Sequence, residues 1–157
     1  MIYNNLGPGN TFSNGDWQGQ NVSIIGITFT TTGAGTLSTI LLPIATTPNA
    51  PPGVTFTLYS NSNGAPGSQI ESWTGNPPAY DGGEPPLTTL TSVQKPAISS
   101  GTQYWFLITQ APNQIMWFSS PLGNDGMWAG DSINSLIQSQ IPNAGTPALQ
   151  LNSSEGD

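Results

Sequence analysis

The sequence predicts an all-β fold, an antiparallel β-sandwich of jelly-roll type, built as a single domain over residues 1–157. Three observations predict it. Apolar and polar residues alternate in short runs, which is the pattern of strands with one face buried. Dense Gly, Pro and Asn clusters separate these runs, consistent with 19 Gly and 15 Pro in the chain. Five Trp, five Phe and four Tyr lie within the periodic runs, so the Gly and Pro content reads as turns rather than disorder. The spacing of the strands and the short turns favour a sandwich.

Ile2-Tyr3 gives a short first strand. Asn5 to Gly19 is turn-rich, with Phe12 and Trp17 as anchors. Asn21 to Thr30 is a strand whose alternation changes phase between Ile24 and Ile25, which predicts a bulge or bend near Gly26. Gly33-Ala34-Gly35 turns the chain into Thr36 to Ile44, and Pro43 places the end of that strand at a sheet edge. Val54 to Thr74 is a hairpin. Val54, Phe56 and Leu58 alternate with polar residues, Asn61 to Gly67 supplies the turn, and Trp73 anchors the return strand. Gly75 to Pro86 is a loop expected to be mobile or to cover one end of the sheet.

Leu87 to Val93 is a Thr-rich strand. Gln103 to Gln110 carries Tyr104, Phe106 and Ile108 on one face and Trp105 and Leu107 on the other, so it is expected to be central. Gln114 to Ser119 follows, then a loop from Pro121 to Asp131 that holds Trp128. Ser132 to Ile141 reads as irregular or strand, with a short helix as the alternative, and Ala148 to Leu151 closes the fold. Residues 1–4 and 152–157 are expected to be flexible or to act as edge or assembly segments.

Charge narrows the function classes. Lys95 is the one basic side chain, and the net charge is -7. Such a chain lacks the Lys and Arg that nucleic-acid phosphates and anionic lipids attract, so neither nucleic acid nor membrane is an expected partner. No apolar run approaches the ~20 residues of a membrane span. There is no Cys, so redox state plays no part in stability. A Thr-, Ser-, Asn- and Gln-rich surface of this kind points to an extracellular or cell-surface protein. No signal peptide or anchor segment is visible in this chain, as expected of a mature or trimmed form.

Three segments carry a family resemblance. Tyr3-Asn4-Asn5-Leu6-Gly7-Pro8-Gly9-Asn10-Thr11-Phe12 resembles the opening signature of the bacterial choice-of-anchor R domain. The LYSNSNGAPGSQIESWT stretch, Leu58 to Thr74, resembles the hairpin of that family, and Ser100-Gly101-Thr102-Gln103-Tyr104-Trp105 resembles its GTQYW strand start. A late Asp-Gly-Gly-Trp-like segment is only loosely echoed by Asn124-Asp125-Gly126-Met127-Trp128. The resemblance implies an exported bacterial β-sandwich domain of a kind often anchored at the cell surface, and no enzymatic activity follows from it.

The residues themselves offer few chemical sites. Without His or Cys there is no triad or thiol nucleophile. A Ser-Lys pair would need Lys95, which precedes Pro96 at a strand end. The carboxylate pairs Asp81 with Glu84 and Asp125 with Asp131 lie in loops, where solvated acids are the ordinary reading. No cofactor is expected. Without His or Cys no transition metal is expected; the loop oxygens suit calcium, with Asn124, Asp125 and Asp131 as the first cluster and Asp81 with Glu84 as the second, although neither spacing matches a known calcium loop. Tyr80, Trp128 and Trp17 are the aromatic candidates for ligand contact, with Tyr80 and Trp128 expected to be exposed. The leading expectation is a non-enzymatic structural or adhesive domain that can assemble with copies of itself. The alternative is a carbohydrate-binding module that stacks extracellular glycans on an aromatic platform. The Gly-rich hairpin loop lacks the Lys-Ser/Thr ending of a phosphate loop and sets strand register instead.

Overall fold

The computed structural model describes residues 1–4, 6, 16–17, 24–46, 53–80, 82, 86–108, 115–120, 127–130, 132–133, 136–139, 146–147 and 149–154. These residues form two antiparallel sheets. One contains β1 (Tyr3–Asn4), β2 (Asp16–Trp17), β4 (Gly35–Thr46), β7 (Leu87–Thr91), β8 (Ala97–Ile98), β10 (Ile115–Ser120), β13 (Thr146–Pro147) and β14 (Gln150–Ser153). The other has the order β12 (Ile137–Ser139), β11 (Met127–Gly130), β3 (Ile24–Thr30), β9 (Gln103–Ile108), β5 (Val54–Ser62), β6 (Ala65–Gly75).

The period-2 patterns place the core between the sheets. Ile25, Ile27 and Phe29, then Val54, Phe56 and Leu58, then Tyr104, Phe106 and Ile108 face inward from the second sheet. Ile40, Leu42, Ile44, Leu90, Trp117 and Leu151 meet them from the first. Each fully buried side chain of this size stabilises the fold by roughly 1.5–3 kcal/mol. Phe106 is the hub, with ring centroids 6.2 Å from Phe56 and 6.0 Å from Trp117. Strand β9 is central as expected, with β3 on one side and β5 on the other.

The hairpin turn is tighter than the sequence suggests. Only Asn63 and Gly64 form the loop, at φ 51° and 81°, and Ser62 pairs with Ala65. Two successive positive-φ residues twist the turn to match the flanking strands. Pro66 and Gly67 lie inside β6, where register shifts opposite Tyr59 absorb the extra residues.

Three expectations are corrected. The change of phase near Gly26 is not a bulge, because β3 and β9 pair in unbroken register from Ile25 to Thr30. Ile24 instead packs into a second cluster on the outer face of the sheet. Nor does Pro43 mark an edge. The Ile44 N–H donates to the Pro86 carbonyl at 3.2 Å, so the polar groups of Pro43 face the opposite side of β4. On that side β14 ends at Leu41 and β10 begins at Ile44, so no ladder N–H is missing there. Finally, Trp128 is not in a loop. It lies on β11, paired with Gly26 on one side and Gln138 on the other.

The terminal segments meet each other. Tyr3 pairs with Leu151 and Asn4 with Gln150, which makes β1 an edge strand of its sheet. Ile2 and Leu6 are fully buried and Tyr3 nearly so. Asn152 and Ser153 belong to β14 and pair with Thr39 and Leu37 of β4.

Candidate functional site

The aromatic candidates fall at separate places. Trp128 is half-buried on the outer face of the second sheet. Its ring centroid is 4.8 Å from that of Trp105, and its indole N–H points to the Thr28 hydroxyl at 3.4 Å. Trp105 is buried and donates through its indole N–H to Asn61 Oδ1 at 3.0 Å. Tyr59, Leu107, Ile24, Ile133 and Leu136 complete this outer cluster. Burial pushes the Tyr59 phenol above its ordinary pKa of 10.0. The cluster owes its density to Gly26, which lies opposite both Trp128 and Leu107. A Cβ at Gly26 would overlap the Leu107 side chain and the Phe106 carbonyl oxygen.

Tyr80 lies at the far end of β4. The Thr46 N–H donates to the Pro78 carbonyl at 2.9 Å, and the Tyr80 N–H donates to the Thr46 carbonyl at 3.0 Å. These bonds hold the segment after β6 against the end of the strand. The Tyr80 ring sits edge-on to buried Phe118, with centroids 5.1 Å apart, and remains half-buried rather than exposed. Trp17 is on β2, with its backbone opposite Trp117. The structure therefore brings Trp128 together with Trp105 and Tyr59, and Tyr80 together with Phe118. Asn124, Asp125 and Asp131 lie outside the described residues, as do Asp81 and Glu84. Among the described residues no group of three His, Cys, Asp or Glu side chains gathers in one place.

The charged group of most structural consequence is one that sequence reasoning did not single out. Glu71 is buried on β6, directly opposite Leu58. Its Oε1 accepts from the Ser92 hydroxyl at 2.6 Å, and its Oε2 accepts from the Val93 N–H at 2.8 Å. Ser92 Oγ in turn accepts from the Lys95 N–H at 2.9 Å, which fixes the turn in which Lys95 takes φ 50°. Nearby, the Trp73 indole N–H donates to the Thr91 carbonyl at 2.9 Å. Strand β6 ends one sheet, and residues 91–93 continue from β7 of the other. Glu71 and Trp73 thus stitch the two sheets along one flank. Register shifts within β6 hide this from a simple alternation, since Ile70 and Trp73 both pack on the core despite opposite parity.

A second network closes one end. The Thr31 N–H donates to the Thr102 carbonyl at 3.0 Å, and the Gly101 N–H donates to the Thr31 carbonyl at 2.9 Å. The Thr31 hydroxyl donates to the Ser99 carbonyl, and the Ser99 N–H donates to the Tyr104 hydroxyl at 3.1 Å. The polar residues of the Ser100 to Trp105 motif are therefore used to join the two turns. Comparison of the chain with family models, curated proteins and solved structures gives no match in any of the three.

Proposed function

We propose that this chain is a non-enzymatic extracellular or cell-surface domain with a structural or adhesive role, able to assemble with copies of itself. The observation that supports it is the use made of buried polar chemistry. Both oxygens of Glu71 are engaged in closing the sandwich, Trp73 bonds across the same flank, and Thr31 joins the turns at one end. The near absence of cationic side chains and the resemblance to a choice-of-anchor domain point the same way. We also read the sandwich as of jelly-roll type. The neighbours β4 with β14 and β3 with β9 and β11 are remote in the chain, as wrapped antiparallel sheets require.

Two measurements test this reading. Light scattering and electron microscopy of the purified chain should show assemblies that grow with concentration; a monodisperse monomer at high concentration, with and without calcium, would sink the assembly role. Protease added to intact host cells should digest the tagged protein, and full protection would overturn the surface location.

A second reading is favoured by Tyr80, whose half-buried ring is held edge-on by Phe118 in a segment where Asn76 and Pro78 are exposed. In this reading it is part of a carbohydrate platform, with calcium at Asn124, Asp125 and Asp131. A glycan array with Tyr80→Ala and Trp128→Ala controls tests the platform. Absence of hits removes it for the glycans sampled. A melting temperature unmoved by calcium removes the metal.

A further inference from the structure

We propose that Asn63, at the tip of the β5–β6 hairpin, is a site of spontaneous deamidation. The backbone nitrogen of Gly64 is the nucleophile, and the product is an aspartyl or isoaspartyl residue. This modification stands apart from the assembly role and does not depend on it.

Two observations single this residue out among the described asparagines. The first is the state of the side-chain amide. Asn4 Oδ1 accepts from the Leu6 N–H at 2.8 Å, and Asn61 Oδ1 from the Trp105 indole N–H at 3.0 Å. Asn76 Oδ1 accepts from the Gly53 N–H at 2.7 Å. Asn152 accepts from Gln150 Nε2 at 2.8 Å and donates to Thr39 Oγ1 at 3.2 Å. Each of these bonds fixes the amide carbon in place. Asn63 is exposed and its amide makes no such bond. The second observation is the residue that follows. Asn63 alone among these asparagines precedes glycine, whereas Asn76 precedes Pro77, which has no N–H to lose. Gly64 has no Cβ to crowd its nitrogen, and nothing lies within 4 Å of where a Cβ would stand. A second Asn-Gly pair, Asn14-Gly15, lies outside the described residues.

The reaction consumes water and releases ammonia. The Gly64 nitrogen gives up its proton to a base in solution and bonds to Asn63 Cγ. The side-chain nitrogen takes a proton and leaves as ammonia, which closes a five-membered succinimide. Water then adds to one of the two ring carbonyls. Opening at one gives an aspartate at position 63; opening at the other routes the main chain through Cβ and lengthens it by one methylene. Attack requires the tip to open, and the nearest pair that must part is Ser62 with Ala65. Both products carry one carboxylate more than the chain of net charge -7. They differ in structure. Asp-Gly suits the same two-residue turn, so the aspartyl form keeps the hairpin. The isoaspartyl form is too long for that turn and unpairs Ser62 from Ala65. The Ser68 N–H donates to Ser60 Oγ at 2.9 Å, and this bond halts the unpairing below the tip.

The test uses the full chain, incubated in mildly alkaline buffer made with heavy-oxygen water, folded or in urea. Chymotrypsin cleaves after Tyr59 and Trp73 and releases residues 60–73, which hold Asn61 and Asn63 in one peptide. Fragmentation in the mass spectrometer locates the labelled acid and separates aspartyl from isoaspartyl linkage, with an unincubated sample as the baseline. In the folded chain the acid should accumulate at position 63 several-fold faster than at position 61. Urea frees Asn61 from Trp105, so its rate should rise several-fold, while the rate at Asn63 changes less. A position 63 that reacts in urea but no faster than position 61 in the folded chain overturns the proposal, since the turn would then shield it. Gly64→Ala should slow the reaction several-fold; an unchanged rate would mean direct hydrolysis of the side chain and overturn the role of the Gly64 nitrogen. Amide signals of Ser62 and Ala65 should shift in the isoaspartyl form and stay near their native positions in Asn63→Asp. Native signals in the isoaspartyl form would overturn the unpairing.

Discussion

Glu71 and Gly26 show how single residues here are fixed by what lies opposite them. Glu71→Ala leaves the Ser92 hydroxyl and the Val93 N–H without their acceptor, which costs about 1–3 kcal/mol. Glu71→Gln keeps an acceptor oxygen and a donor, and costs less. Urea denaturation of the two variants should therefore rank Ala below Gln; equal losses would mean that the side chain acts only by filling space. Gly26→Ala should cost about 1–3 kcal/mol by overpacking. In a Leu107→Ala background, where truncation of the buried leucine carries its own cost, Gly26→Ala should still destabilise, because the Phe106 carbonyl oxygen also blocks the Cβ and cannot rotate away. A double variant no less stable than Leu107→Ala alone would show that only the flexible side chain was in the way. Neither residue's role was legible in the sequence. Glu71 read as one letter of a hairpin motif, and Gly26 read as a bulge or bend.

At the scale of the element, the second sheet is covered on both faces. Strand β9 announced this through its two bulky faces, since Trp105 and Leu107 could not both remain in water. The partners that cover them were not announced. Trp128 read as a loop residue because the turn formers before it mask a four-residue strand, and that strand exists only through pairing with β3 and β12. The outer layer has a titration signature. Burial raises the Tyr59 phenol, so below about pH 10 it is neutral in both folded and unfolded chains and adds no pH dependence. As pH rises past that value the unfolded chain ionises first, and folding stability falls. Denaturation between about pH 9 and 11 should show this loss, and Tyr59→Phe should reduce it. An identical alkaline slope in the variant would place the titrating group elsewhere.

For the whole molecule, the balance of charge matters more than any pair of charges. With one Lys against eight acids, screening by salt has little attraction to remove and much repulsion to relieve. The Tm should therefore rise modestly between about 0.02 and 0.5 M NaCl, with the Debye length falling from about 20 Å to below 5 Å. A fall in Tm would reveal a stabilising ion pair that involves Lys95 or the amino terminus. Cohesion between the sheets comes instead from the shared core and from neutral or charge-assisted hydrogen bonds along the flank of β6 and β7.

Local pattern alone made legible most of the strand runs, a turn within Asn61 to Gly67, the central place of the strand that begins at Gln103 and a surface almost without cationic side chains. These follow from period-2 alternation, turn stereochemistry and composition, all of which act over a few residues. The tertiary structure decided which Trp enters the core and which covers the outer face, where Pro43 could sit inside a sheet, and that Glu71 would be buried. Each of these depends on a partner far away in the chain. Pairing and register shifts set the direction in which a side chain points, and no local pattern records the strand that will lie beside it.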